Sequence, residues 1–299
     1  MSEAATTREP LQAWHADEAN PLGLDGIEFI EYATAKPQAL GHVLEMMGFR
    51  PVARHRSREV LLYRQGGLNV VVNAHPPDGE GEVGLPDEPE LAAIALRVRD
   101  ARAAYRHVIA RGAWEVQTHP EVMELNIPAV HGVGRSRIYF VDRWRDFSIY
   151  DVDFVTIPSV DRNPPAVAGI HFFGIVQYIG LGRSADWIEF YSELFGAQAI
   201  PDEQRFGIMP AGHLMQFPGV DAHNAFMLQL VEPPSDFVDA REYFQRIGLG
   251  VDDVMAAAQQ LRAKGIEFVE SGAAHTGQRG ALTKTYLGSV VFELVHSKR

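Results

Sequence analysis

The chain has 299 residues, a formal net charge of −12 and no cysteine. Its acidity argues against nucleic acid and anionic membrane as main partners, and the missing thiols exclude disulfides, thiolate catalysis and cysteine-held metals. A hydrophobic fraction of 46% with 10% aromatic residues describes a protein with well-filled cores. The length suits two domains of about 150 residues each. No apolar run reaches the roughly 18 residues that span a bilayer, and the N-terminus lacks the apolar stretch of a signal peptide, so a cytoplasmic location is expected.

Residues 1–20 read as a loosely ordered arm. A strand then follows at 26–33, GIEFIEYA, and a helix at 37–49, PQALGHVLEMMGF. Apolar and β-branched residues at 59–73 predict two strands turning at Gly66-Gly67. Residues 94–116, IALRVRDARAAYRHVIARGAWEV, predict a strand, then a helix capped by Asp100. SRIYFVDR and FSIYDVDFV predict closing strands, and TIPSVDRNPPAVAG at 156–169, with three prolines, reads as a linker.

The order then recurs. A strand is predicted at 171–180, a helix at 184–196 ending on Gly196, a strand at 224–232, and closing strands in TKTYLGSVVFELV. Residues 247–269 align without a gap on 94–116 at a constant offset of 153, setting Asp253 on Asp100. Such a repeat is one strand–helix–strand unit used twice. The expected architecture is α+β: tandem βαβββ modules with curved, barrel-like mixed sheets, an N-terminal domain at 21–155, a linker at 156–168 and a C-terminal domain at 169–299. The concave face of the second sheet is expected to carry the pocket, and exposed sheet edges favour a homodimer.

Several segments carry a family resemblance: DGIEFIEYA, MGFRPVARHRSREVLLYRQGGLNVVVN at 47–73, HGVGRSRIYFVDR, SIYDVDF, and, in the second half, GRSADWIEFYSELFG, LVEPP, QRIGLGVDD and VVFELV. Together they resemble the vicinal oxygen chelate superfamily, and within it the 4-hydroxyphenylpyruvate dioxygenase family, over nearly the whole chain. The resemblance implies a structural first half. It also implies a second half binding ferrous ion through two histidines and a glutamate to oxidise an aromatic α-keto acid. Carried over by position, the glutamate is Glu293, the second histidine falls on Arg246 and the first on Gly174, so the triad is incomplete. Alternation turns His171 and His296 to the opposite face unless a bulge intervenes, and His213 and His223 read as loop residues. A family asparagine that contacts substrate falls on Val231.

Alternation puts Gly174, Val176, Tyr178, Met227, Gln229, Val231, Arg246, Gly248, Glu293 and Val295 on the concave face of the second half. There Arg246 supplies the charge an ion would supply, and Gly174 leaves room for a ligand. Glu28, Ala93 and Asp151 are read as the equivalents in the first half. Three readings stand open. The first is a metal-free site, without cofactor, for a small organic acid, with Glu293 as base, Arg246 as electrostatic stabiliser, a lyase- or isomerase-type step, and Gln229, Tyr178, Gly174, Val231 and Met227 around the substrate. The second is an Fe(II) dioxygenase, an oxidoreductase of the parent type with relocated ligands. The third is a non-catalytic scaffold with a structural Arg246–Glu293 pair. The basic run 54–58 reads as a solvated edge, and Trp187, Phe190, Tyr191 and Phe195 as core.

Overall fold

The structure, a computed structural model, describes residues 18–76, 84–117, 124–145, 147–201, 212–233, 241–270 and 280–298. The expected arm at 1–20 therefore lies almost wholly outside the described residues; within them, the Asn20 side chain bonds both the amide and the carbonyl of Leu24. The first half contains β1 (Ile27–Ala33), α1 (Pro37–Met46), β2 (Arg50–His55), β3 (Val60–Gln65), β4 (Leu68–Asn73), β5 (Glu90–Arg97), α2 (Ala101–Ile109), β6 (Ala129–His131), β7 (Arg137–Val141), α3 (Ile149–Asp153) and β8 (Phe154–Thr156). The second contains β9 (His171–Tyr178), α4 (Ser184–Phe195), β10 (Gln198–Ile200), β11 (His213–Phe217), β12 (Phe226–Val231), β13 (Tyr243–Val251), α5 (Val254–Ala263), β14 (Gly280–Leu282) and β15 (Phe292–His296).

These strands make two open mixed sheets, ordered β6-β7-β5-β1-β4-β3-β2-β8 and β10-β11-β12-β9-β13-β15-β14. The architecture is α+β with two sheet modules, and neither sheet closes into a barrel. Strand β1 runs parallel to β4 and antiparallel to β5, and β5 runs parallel to β7. Strands β9, β12, β13 and β15 pair in the same senses. Ile30 pairs with Val70 and Ile94, and Ile175 with Leu228 and Ile247. That correspondence gives each position of one sheet a counterpart in the other.

Local chemistry explains the element ends. The Asp100 and Asp253 carboxylates accept the amides of Ala103 and Ala256, satisfying donors that the first turn of a helix leaves open. Gly196 closes α4 at φ 71°, a conformation that costs a side chain dearly. One element departs from expectation. FSIYDVDFV contains α3, not a continuous strand, because Ser148 and Asp151 form a reciprocal capping box that outweighs the β-branched composition.

One continuous core joins the helix-facing sides of both sheets. It holds Ile30, Ile94 and Phe140 from the first, Ile175, Ile247 and Phe292 from the second, and the apolar stripes of α1, α2, α4 and α5. The predicted core aromatics of α4 lie here: Tyr191 and Phe195 are fully buried and pack edge-on and tilted against Phe217. On the far side of the first sheet a second apolar cluster gathers Phe29, Leu62, Val71, Ala95 and Tyr150. Among the described residues the far side of the second sheet has no such cluster. Its side chains are available for other work.

Candidate functional site

Strand register assembles the far face of the second sheet in rows. Gln229 pairs with Val176, and Val176 with Arg246. In the next row Met227 pairs with Gly174, Gly174 with Gly248, and Gly248 with Glu293. Tyr178 and Val231 pair at one end, where the Tyr178 ring lies 5.5 Å from that of Tyr243. The seven residues singled out from sequence therefore occupy neighbouring positions of one sheet.

Two irregularities change what these rows present. Strand β9 carries a bulge, so that Gly248 pairs with Gly174 and Leu249 with Phe172, leaving Phe173 unpaired. The extra residue restores the parity of His171 to the Gly174 face. Its imidazole lies over Gly250, where an added Cβ would come within 2.3 Å of Nε2. Phe173 takes the analogous place beside Gly248, its ring 3.5 Å from where a Cβ would stand. The bulge is thus the exception to alternation that returns His171 to this face. The signal was the alternation of Gly248 and Gly250 in IGLG, which leaves space for two rings on the facing strand. The imidazole is fixed by the Gly169 carbonyl, 3.3 Å from Nδ1, and the Ser297 hydroxyl, 3.2 Å from Nε2.

Gly174 does not leave the room expected of it. A Cβ there would meet the Met227 carbonyl oxygen at 2.2 Å, so neighbouring backbone already fills that space. Of the other histidines, His213 opens strand β11 instead of lying in a loop, His223 sits in a short 3-10 turn, and His296 is exposed at the end of β15.

The chemical centre is Arg246, 2% exposed, on β13. Its Nε donates to Glu293 Oε2 at 2.7 Å, and its Nη1 donates to Gln245 Oε1 at 2.8 Å. Among the described residues its Nη2 is buried without a hydrogen-bond partner. Glu293 is equally enclosed, 4% exposed. Burying two charges is compensated only when their donors and acceptors are satisfied, and an orphaned buried donor costs about 1–3 kcal/mol. Guanidinium Nη2 is therefore a donor held ready in a site that two other contacts have oriented.

The first half differs at each counterpart. Register sets Phe29 against Gly174, Ala93 against Arg246 and Tyr139 against Glu293. This corrects two of the three expected equivalents. Glu28 is the bulged residue of β1, matching Phe173, and ion-pairs with Arg97 at 2.6 Å. Asp151 belongs to α3, where it bonds the Ser148 amide and hydroxyl, which holds its carboxyl below the usual range. The basic run does not end in solvent either: Arg58 grips both oxygens of Glu124 and is half-buried. A cavity of about 40 Å³ lies between the two sheets, lined by Glu28, Asn69, Arg97, His171 and Asn224. It has room for water but not for an organic acid.

A facial triad needs three neutral or anionic donors on one side of a metal. This face offers His171 and Glu293, and Glu293 is bonded to the permanent cation of Arg246. Among the described residues no three histidine, aspartate or glutamate side chains converge as a metal site.

A model of the N-terminal domain of hydroxyphenylpyruvate dioxygenase matches residues 18–155, and one of the glyoxalase/bleomycin resistance protein/dioxygenase superfamily matches residues 171–283. The 4-hydroxyphenylpyruvate dioxygenase of Pseudomonas aeruginosa is 31% identical over 274 residues, covering 85% of this chain and 74% of that protein. The chain belongs to the 4-hydroxyphenylpyruvate dioxygenase family. The 4-hydroxyphenylpyruvate dioxygenase of Pseudomonas sp. (strain P.J. 874) is 39% identical over 183 residues, 60% of this chain, and this match spans 51% of that relative. A fusion of a xylose isomerase-like TIM barrel with 4-hydroxyphenylpyruvate dioxygenase superposes with a TM-score of 0.69 at 21% identity, over 92% of this chain and 49% of that one. At that identity the likeness speaks for the fold alone. Membership of the 4-hydroxyphenylpyruvate dioxygenase family thus fixes the architecture.

Proposed function

We propose that this member of the 4-hydroxyphenylpyruvate dioxygenase family binds a small organic acid on the far face of its second sheet, using Arg246 in place of a metal ion. The observation that carries the reading is the buried guanidinium with Nε and Nη1 engaged and Nη2 unpartnered. A carboxylate or α-keto carbonyl accepting from Nη2 would satisfy that donor in a low-dielectric setting, where a charge-assisted bond is strong. Phe173, Tyr178 and Met227 would flank the organic body, and Gln229 would offer an amide.

The chemistry open to such a site is proton transfer beside a carbonyl. Glu293 would take a proton from the carbon next to the carbonyl, and Arg246 would stabilise the enolate oxygen that results. Redelivery of that proton to another atom completes an isomerisation, with no oxidant consumed. One observation favours a second reading. The bulge that turns His171 to this face supplies a second donor on the same face as Glu293, of the kind an Fe(II) enzyme uses. The acidic, cysteine-free composition supports a cytoplasmic location, and no described helix is long and apolar enough to cross a membrane.

Phenylpyruvate, 4-hydroxyphenylpyruvate and aliphatic keto acids, tested with EDTA present, should raise the melting temperature of the full chain. Arg246→Lys, which keeps charge but loses the planar fork, should weaken binding at least tenfold. Absence of stabilisation by every acid would leave Arg246–Glu293 as a structural pair.

A further inference from the structure

Arg246 is held by a neighbour that regular strand geometry would put out of reach. Successive side chains of a strand point to opposite faces, yet Arg246 Nη1 donates to Oε1 of the adjacent residue, Gln245, at 2.8 Å. The cause is a further bulge, this one in β13. Phe244 pairs with Gln177 and Arg246 with Val176, consecutive residues of β9, so Gln245 is the extra residue. A bulge bends its strand and re-aims the side chains on it, and here it brings an amide and a guanidinium together.

The first sheet shows what this bulge does not require. Glu31 pairs with Ala93 and Tyr32 with Leu91, which makes Ala92 the bulged residue of β5. Ala92 and Ala93 therefore stand where the second sheet has Gln245 and Arg246, and the same backbone forms around two methyl groups. The half-buried glutamine is not needed to shape the strand. Its amide does two things to the cation. A guanidinium has only donors, so the amide must turn its oxygen to Nη1. With Nε fixed on Glu293, this second contact fixes the plane of the fork, and in a planar group the direction of Nη2 follows. The amide also does this without a charge. A glutamate is of the same size and would hold Nη1 more tightly, but it would set a second carboxylate on a cation that already carries Glu293, and would repel an incoming anion.

We propose that Gln245 is the positioning residue of the Arg246 site and sets its preference for anions: it aims Nη2 while leaving the charge of the guanidinium uncancelled. The anion preference rests on the reading of this face as an organic-acid site; the aiming of Nη2 does not.

The test is nitrogen NMR of the full chain with isotopically labelled arginine, joined to calorimetric titration with phenylpyruvate in the presence of EDTA. The Arg246 signals are those missing from the Arg246→Lys spectrum. Rotation about Cζ–Nε interchanges Nη1 and Nη2 and must break the Gln245 bond, so in the parent the two nitrogens should give separate signals. Gln245→Ala, the residue the first sheet carries here, should speed their interchange about tenfold, and Gln245→Glu should keep it slow. Affinity should follow a different order: phenylpyruvate should bind Gln245→Ala severalfold more weakly than the parent, and Gln245→Glu at least tenfold more weakly. A merely structural residue would move order and affinity together, with circular dichroism reporting any loss of fold. The proposal is overturned if the two Nη signals are already averaged in the parent, if Gln245→Ala leaves their interchange unchanged, or if Gln245→Glu binds phenylpyruvate as tightly as the parent does. Should the parent bind no acid, the acid-site reading fails and the anion preference with it, while the interchange rates still confirm or overturn the aiming of Nη2.

Discussion

Glu293→Gln is expected to destabilise the folded chain by about 3–5 kcal/mol, the cost of leaving a buried charge without its partner. Arg246 is 2% exposed, and among the described residues its Nε donates to Glu293 alone. Losing the carboxylate would strand a guanidinium that already holds one unsatisfied nitrogen. Equilibrium denaturation measures the loss as a lower midpoint at unchanged slope. The double substitution Arg246→Met with Glu293→Leu should recover most of it, because an apolar pair of similar volume needs no solvation. A Glu293→Gln protein as stable as the parent would mean that Arg246 reaches water and that the buried pair is misdescribed.

The second large effect concerns two glycines on one face. Gly174→Ala should cost about 3 kcal/mol, the upper end for forced overpacking, because its Cβ would sit 2.2 Å from the Met227 carbonyl oxygen and 2.9 Å from the carbonyl carbon. Those atoms belong to the paired strand β12 and cannot swing aside as a side-chain tip can. Gly248→Ala, one strand away in the same row, should cost under about 1 kcal/mol, since its nearest neighbours lie at 3.4–3.6 Å, ordinary contact. Equal effects at the two positions, read by thermal unfolding, would contradict the bulged register of β9. The pair also bears on function. A histidine at 174 could not be accommodated without breaking the β9–β12 pairing, whereas His171 already stands on that face.

Much of this organisation is legible in the amino-acid order. The gapless match of 94–116 with 247–269 put Asp100 and Asp253 at two helix starts, and both carboxylates cap there. Period-two alternation along β12, β13 and β15 brought Gln229, Arg246 and Glu293 to neighbouring positions of one face. What alternation could not supply was parity across a bulge. Phe173 is the extra residue, and one extra residue reverses the face of everything before it, so the bulge that alternation leaves open is what brings His171 to this face. The same defect in β1 displaced Glu28 from the counterpart of Gly174. The helix α3 was hidden for a different reason. Ile149, Tyr150 and Val152 favour strand, and only the Ser148–Asp151 capping box, spaced three apart, marks the turn. The unpartnered Nη2 of Arg246 has no signature in sequence, because it depends on which contacts the other two nitrogens make.

These observations converge on one question: whether the positive charge of the second sheet is a guanidinium or an ion. Anaerobic equilibrium dialysis of the full chain against ferrous ion, followed by iron analysis, answers it most directly. The account predicts retention well under about a tenth of an equivalent, as a fixed cation bonded to the remaining carboxylate requires. Retention of one equivalent that disappears in Glu293→Gln would contradict it and restore His171 and Glu293 as metal ligands.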